Sequence, residues 1–333
     1  MSRLNRTPAR GLAMFTAAAA LLAACAGGGD GQADAGGDGA TDTATETRQI
    51  KVGVQPFAEL APFYIAQQEG LFAEHGLEVE VQQASEGASL IAAMVGGDVP
   101  IVYSNYVSLL TAVDQGLPVR IFRENDRPGV QALYVLPDSE IQEPADFEGA
   151  TIAVNGLGNI MEVTSRGVLE HHGVDLSTVK FVEIPPPNMQ QALEQGQVDA
   201  AWLVEPFVTL ATQTGARPVV SAFEGPTENA PVAGWATTAQ YLQENPDVVA
   251  DFKAAMDEAM EIAASDPDAV AEIIPTYTEI SPELAQSLAE IAFAENSDLS
   301  GLAGLEELLV KYEIIAEPTD LEEVVVEESE LEG

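Results

Sequence analysis

One plan occurs twice in this chain, and the repetition limits the available folds more than composition does. The first copy opens with an apolar strand pattern at Ile50–Val54. A Pro-containing loop and a helical pattern, "PFYIAQQEGLFAEHG", follow. Then come a strand "LEVEVQQ", a loop "ASEG", a helix "ASLIAAMVGG", a strand "VPIVYS", a loop "NY" and a helix "VSLLTAVDQG". The second copy opens with "ATIAV" from Ala150. It continues through a loop "NGLGN", a helix "IMEVTSRGVLEHHG", a strand "VKFVEI", a loop "PPPN", a helix "MQQALEQG", a strand "VDAAWLV", a loop "EP" and a helix "FVTLATQTG". Gly76 and Gly173 stop equivalent helices, because a glycine past the last turn takes the left-handed conformation a helix end needs. Short strands alternating with helices predict a parallel α/β sheet in each copy.

Two segments connect the copies. "ALYVLPDSEIQEPADFEG" leads from the first to the second, and "RPVVSAFEGPTENAPVAGWATT" leads back. The remainder is helical in pattern, with Ser281–Glu283 and Asp266–Asp268 reading as capped starts carrying Pro at the first helical position. These helices are expected to pack back on the first lobe. The expected organisation is lobe one at 49–139, lobe two at 140–225, a return to lobe one at 226–315, and an acidic tail at 316–333.

Three stretches carry a family resemblance: "PFYIAQQEGLFAEHGLEVEV", "DFEGATIAVNG" and "GQVDAAWLVEPFVTLA". Over roughly residues 50 to 310 the chain resembles the substrate-binding proteins of ABC importers, in the branch that handles nitrate, sulfonates, taurine and thiamin-pyrimidine precursors. The resemblance implies a type II periplasmic-binding-protein fold: α/β, two lobes, a hinge and an interlobe ligand cleft that closes on its solute. It implies a small-molecule ligand and permease subunits as partners. The family's Gly-x-x-Asp element is kept in lobe two as Gly196–Asp199. Lobe one has Pro100 in place of the Asp.

Ligands of open α/β sheets bind outside the carboxyl ends of the strands. Six loops qualify, and they nominate Gln55, Phe57, Ser85, Ser104, Asn105, Tyr106, Asn155, Asn159, Asn188 and Glu205, with Trp235 beside them. Glu205 ends an apolar run and aligns with Tyr106 in the repeat. Two readings stay open for it: acceptor for an amine or hydroxyl of the ligand, or acceptor for backbone N–H groups at a hinge or helix start. Phe57, Tyr103, Tyr106, Trp202 and Trp235 are candidates to stack a flat ligand. Tyr106 is preferred because it sits in a loop, and Trp202 is assigned to the core because it lies mid-strand. The serines and asparagines are alternatively helix caps, or anion binders at helix N-termini.

Bases are scarce: Arg127 lies near the first connection, Arg166 well along a helix, and Arg120 and Arg123 on a strand edge. This favours a neutral or amine-bearing heterocycle over a small anion. Catalysis has no visible basis. His75 and His172 precede helix-stopping glycines, adjacent His171 and His172 point apart on a helix, and no phosphate loop with a Lys occurs. No cofactor and no metal are expected. The rival readings are an enzyme on the same fold, akin to pyrimidine-precursor synthesis but without its cysteine cluster, and a ligand sensor or surface interaction protein.

The N-terminus has its own logic. Arg3, Arg6 and Arg10 precede "GLAMFTAAAALLA", which is too short to span a bilayer. "LAAC" then ends at Cys25, the only cysteine, and resembles a bacterial lipobox. The resemblance implies a signal peptide at 1–24, acylation of Cys25 and a lipoprotein anchored to the outer face of the cell membrane. Residues 25–48, rich in Gly, Ala, Asp and Thr, read as a flexible tether. Removing 1–24 leaves ten bases against 54 acids. Nucleic acid is thereby excluded as a partner by repulsion. The charge reads as a solvated, halophilic surface on a monomer. The tail "EPTDLEEVVVEESELEG" has eight acids and no base, and is expected to fray into solvent.

Overall fold

The computed structural model describes residues 47–84, 87–289, 291–297 and 299–331. Calls on the signal peptide, on Cys25 and on Ser85 lie outside these residues, as does most of the tether. The first lobe comprises β1 (Arg48–Val54), α1 (Ala61–Glu69), α2 (Leu71–Glu74), β2 (Leu77–Gln83), α3 (Gly87–Val95), β3 (Ile101–Asn105), α4 (Tyr106–Asp114) and β4 (Val119–Asp126). The second comprises β5 (Ala132–Val135), β6 (Thr151–Val154), α5 (Ile160–His171), β7 (Lys180–Glu183), α6 (Pro186–Glu194), β8 (Ala200–Leu203), α7 (Phe207–Gln213) and β9 (Arg217–Ser221). The chain returns through β10 (Ala233–Thr238), α8 (Ala239–Glu244), α9 (Pro246–Ser265), α10 (Pro267–Ile273) and α11 (Pro282–Ala285). It ends with α12 (Leu302–Lys311), α13 (Leu321–Val324) and α14 (Glu328–Leu331).

Among the described residues each lobe is built on a five-stranded sheet, ordered β2-β1-β3-β10-β4 and β7-β6-β8-β5-β9. The two orders are equivalent. In each, three parallel strands are followed by two that pair antiparallel. The expected purely parallel sheets are therefore mixed. The fourth strand of each sheet is the one that has just crossed from the other lobe. β5 belongs to the second sheet, so the first crossing lies at 127–131, earlier than the expected boundary at 139. The second crossing, 222–232, runs beside it, with the Ala222 N–H donating to the Gln131 carbonyl at 3.0 Å. Gly76 and Gly173 both carry the left-handed φ expected of them, 71° and 81°. Pro100 does not displace its strand: β3 starts one residue after it, as β8 starts one residue after Asp199.

The apolar cores follow the sheets. Beneath the first, α1 and α9 meet over Phe63, Phe72, Trp235 and Phe252, whose rings lie 5.1–6.4 Å apart. α12 departs from expectation. It packs on α5 of lobe two, where Leu308 lies against Gly167 and Lys311 pairs with Glu170 at 2.7 Å.

The acidic tail also differs from its reading. Val325 bridges Ile121 on the edge of β4, the Val326 N–H donates to the Ile121 carbonyl at 2.8 Å, and Val324, Val326 and Leu331 are buried. Arg120 donates to the Val324 and Val325 carbonyls and to Glu330. The charges of this segment point outward while its valines, which a count of acids ignores, cover an open sheet edge.

Candidate functional site

A cavity of about 40 Å³ lies between the lobes, at the carboxyl ends of the parallel strands. Its walls come from both sides. Lobe one supplies Glu59, Tyr103 and Asp126. Lobe two supplies Asn155, Met161 and Trp202. This volume is room for a few waters at most.

The local fold explains each placement. Phe57 and Glu59 sit on the 3-10 turn Ala58–Leu60 and the residue before it, just after β1. Asn105 ends β3 and caps α4, accepting from the Ser108 N–H at 3.0 Å. Asp126 ends β4, and Asn155 follows β6. Gln131 reaches in from the first crossing and donates to Glu59 Oε1 at 3.4 Å. Trp202 fixes its ring by donating to Thr164 Oγ1 at 3.1 Å.

The electrostatics are dominated by carboxyl groups. Glu59 is 3% exposed and Asp126 is 0% exposed. Asp126 Oδ1 accepts from the Tyr103 hydroxyl at 2.8 Å and from Asn125 Nδ2 at 3.2 Å. Burial pushes Asp126 up to about 7, against which these two donors work. Burial, and then the charge of Asp126, hold Glu59 well above the usual carboxylate range. Burial likewise raises Tyr103 well above its ordinary value. Glu59 Oε2, Asp126 Oδ2 and Asn155 Oδ1 are buried without a partner. Among the described residues no Lys or Arg lines the cavity.

The family described as NMT1/THI5 like has a sequence profile that matches residues 58–270, well over half of the chain. The chain belongs to this family. Within it, the chain is similar to the taurine-binding periplasmic protein of Escherichia coli (strain K12), 26% identical over 254 residues, 76% of each chain. It is also similar to the formylaminopyrimidine-binding protein of Halalkalibacterium halodurans, 25% identical over 143 residues, 43% of each chain. Among solved structures, the alkanesulfonate-binding protein SsuA from Xanthomonas axonopodis pv. citri, bound to MOPS, superposes with a TM-score of 0.72. That match is 16% identical and covers 84% of this chain and 98% of the other. It establishes the periplasmic-binding-protein fold. These relatives are binding proteins by name, in accord with the non-enzymatic reading.

In this NMT1/THI5-like chain four of the expected site residues line the cavity: Gln55, Phe57, Asn105 and Asn155. Six do not. Tyr106 is the first residue of α4 and is fully buried, with its hydroxyl packed over Gly234; a Cβ there would stand 2.7 Å from it. Ser104 is buried under Gly87 at the start of α3. Trp235 is in the lobe-one core, where its Nε1 donates to Asn125 Oδ1 at 3.0 Å. Asn159 caps α5, accepting from the Ile160 N–H at 2.5 Å. Asn188 lies exposed on α6, which begins earlier than expected, at Pro186.

Glu205 is the sixth. It is fully buried and accepts from the Thr209 N–H at 3.1 Å, the Thr209 hydroxyl at 2.8 Å and the Ala289 N–H at 3.1 Å. Burial raises its pKa, opposed by these donors. Its own carbonyl accepts from the Ala58 N–H of lobe one at 3.2 Å. Conversely, Trp202, assigned to the core, does line the cavity. Glu59 and Asp126 were not singled out at all. Glu59 lies in a loop already nominated, so its signal was available. Asp126 closes a strand that the repeat does not contain.

Proposed function

We propose that this chain is the solute-binding component of an ABC importer. It captures a small molecule between its lobes and presents the closed form to a permease. The observation that carries this reading is the cleft. It is walled by both sheets, bordered by two antiparallel crossings suited to hinge motion, and holds buried polar atoms that lack partners, in a chain similar to binding proteins for taurine and formylaminopyrimidine.

In this proposal the chain is exported, cut before Cys25 and anchored by lipid on that thiol, with residues 25–48 as a tether. No helix among the described residues is long and apolar enough to cross a membrane, so the anchor is assigned to the acyl chains. Acidic surface on both lobes meets basic loops of the permease. The protein acts as a monomer. Two measurements test this. Metabolic labelling with palmitate should mark the wild-type chain and not Cys25→Ala. Small molecules released by denaturing the protein purified from its own cells should include one stoichiometric species by mass spectrometry. A chain that is never labelled refutes the anchor, and one that carries and binds no solute refutes the capture role.

A further inference from the structure

The three unpartnered oxygens of the cavity belong to different elements and to both lobes: Glu59 Oε2 and Asp126 Oδ2 from the first, Asn155 Oδ1 from the second. All three residues are at least 97% buried. Ionised carboxylate and amide carbonyl oxygens accept hydrogen bonds and do not donate. An occupant that satisfies them brings N–H groups, and one that also neutralises two carboxylates brings positive charge. Among the described residues the cavity lining supplies no such charge: β4 and its exit carry Arg123 and Arg127, but Arg123 pairs with Asp257 at 2.7 Å and Arg127 with Glu124 at 2.5 Å. Phe57, Tyr103 and Trp202 offer ring surface around the same space, which suits a cation as well as an apolar body.

We propose that the cleft selects an organic cation with N–H donors: a primary ammonium, an amidinium or a protonated amino-heterocycle. Glu59 and Asp126 are its counter-ions, and Asn155 closes over it from lobe two as the third acceptor. This rests on the solute-binding reading and names its substrate class. It parts from the sulfonate named for the alkanesulfonate-binding structure and from the taurine named for the relative. A sulfonate placed here would be admitted only while both buried carboxyl groups keep their protons, so its binding would weaken as pH rises, whereas that of a cation would strengthen. A metal ion is disfavoured, because no group of three acidic, His or Cys ligands among the described residues is arranged to hold one. Burial raises the proton affinity of both carboxyl groups. A bound cation reverses it, so binding near neutral pH expels protons.

The test uses the purified chain at pH 8 with benzamidine and benzylamine as cations, benzenesulfonate and benzoate as anions of like shape, and benzyltrimethylammonium as a cation without N–H. Tryptophan fluorescence reports binding, because Trp202 lines the cavity. Saturable binding of benzamidine or benzylamine is expected, with the trimethylammonium at least tenfold weaker and no response to the anions. Glu59→Gln and Asp126→Asn should each weaken binding at least tenfold. Proton release on benzamidine binding to the wild-type chain, read calorimetrically at pH 7 in buffers of different ionisation heat, should exceed zero. This arm needs no variant to fold. Anion binding without cation binding overturns the cation assignment and leaves solute capture standing. Cation binding that is unchanged in both variants, or that releases no protons, also overturns it. If neither probe class binds, the cation assignment falls, and the mass-spectrometric search for a carried solute decides the capture role separately.

Discussion

The indole Nε1 of Trp235 donates to Asn125 Oδ1 at 3.0 Å, and this bond orients the amide whose Nδ2 serves both the Glu59 carbonyl, at 2.9 Å, and Asp126 Oδ1, at 3.2 Å. A ring in the core thus sets the position of two groups at the cavity. Trp235→Phe keeps an aromatic ring but leaves Asn125 Oδ1 buried without a donor and opens space beside Phe63 and Phe252. A loss of about 3 kcal/mol of stability is expected from the orphaned acceptor and the void together. Denaturant unfolding monitored at Trp202 measures it. A loss below about 1 kcal/mol would show that Asn125 is held without Trp235.

Glu205 should behave as an internal fastener. Glu205→Gln turns an amide N–H₂ toward at least one of the donors at Thr209 and Ala289, and should lower stability by about 1–3 kcal/mol. Because Glu205 does not line the cavity, affinity for any cleft ligand should stay within about twofold of wild type. A tenfold loss of affinity in a variant that remains folded would return Glu205 to the ligand site.

Asp126 gives the protein a pH dependence of definite sign. Its carboxyl is pushed up to about 7 in the folded chain, against about 3.9 when unfolded. Between these values the folded state holds a proton that the unfolded state has lost, so stability falls as pH rises from about 4 to about 7 and is flat above. The groups facing it are Glu59 from the first loop, whose carboxyl burial also raises, Tyr103 from β3, and the Glu124–Arg127 pair on β4 and its exit. The contribution is on the order of 4 kcal/mol. Thermal midpoints from pH 5 to pH 8 should therefore decline, and Asp126→Asn should flatten the decline. An unchanged slope in that variant would assign the trend to the acidic surface instead.

How far the sequence alone reaches is clearest in the strands. β2 is legible from end to end because "LEVEVQQ" alternates between two stop signals; β6, β7 and β8 fall within the predicted runs, while β1 starts two residues before its run, at Arg48, and β3 ends one residue past its run, at Asn105. β4, β5, β9 and β10 read from the sequence as edges or connections. They lie outside the repeat unit, and β5 and β10 pair with strands far away in sequence, so only tertiary pairing reveals them. The site was missed for the same reason. Asp126 follows Asn125 in a charged run that reads as solvated surface, until β10 pairs with β4 on one side and the 292–294 segment lies along its end. The segment Ser104 to Tyr106, expected as a cleft-facing loop, has no loop length in the structure: β3 ends at Asn105 and α4 begins at the next residue.

The C-terminal segment offers a test of the same lesson. Its acids predict fraying, yet Val324, Val326 and Leu331 are buried and Val326 bonds the backbone of Ile121. Each such side chain contributes about 1.5–3 kcal/mol when fully buried, and ordering the segment offsets most of that. Deleting residues 318–333 is expected to cost about 2 kcal/mol net and to expose the edge of β4. The midpoint should fall, and the amide of Val326 should be protected from hydrogen exchange in the intact chain. Val326→Asp, which keeps the length and the acidity, should reproduce most of the loss, because it removes burial and adds an unpaired charge. If deletion and substitution both leave the midpoint unchanged, the segment lies on the sheet edge without stabilising it.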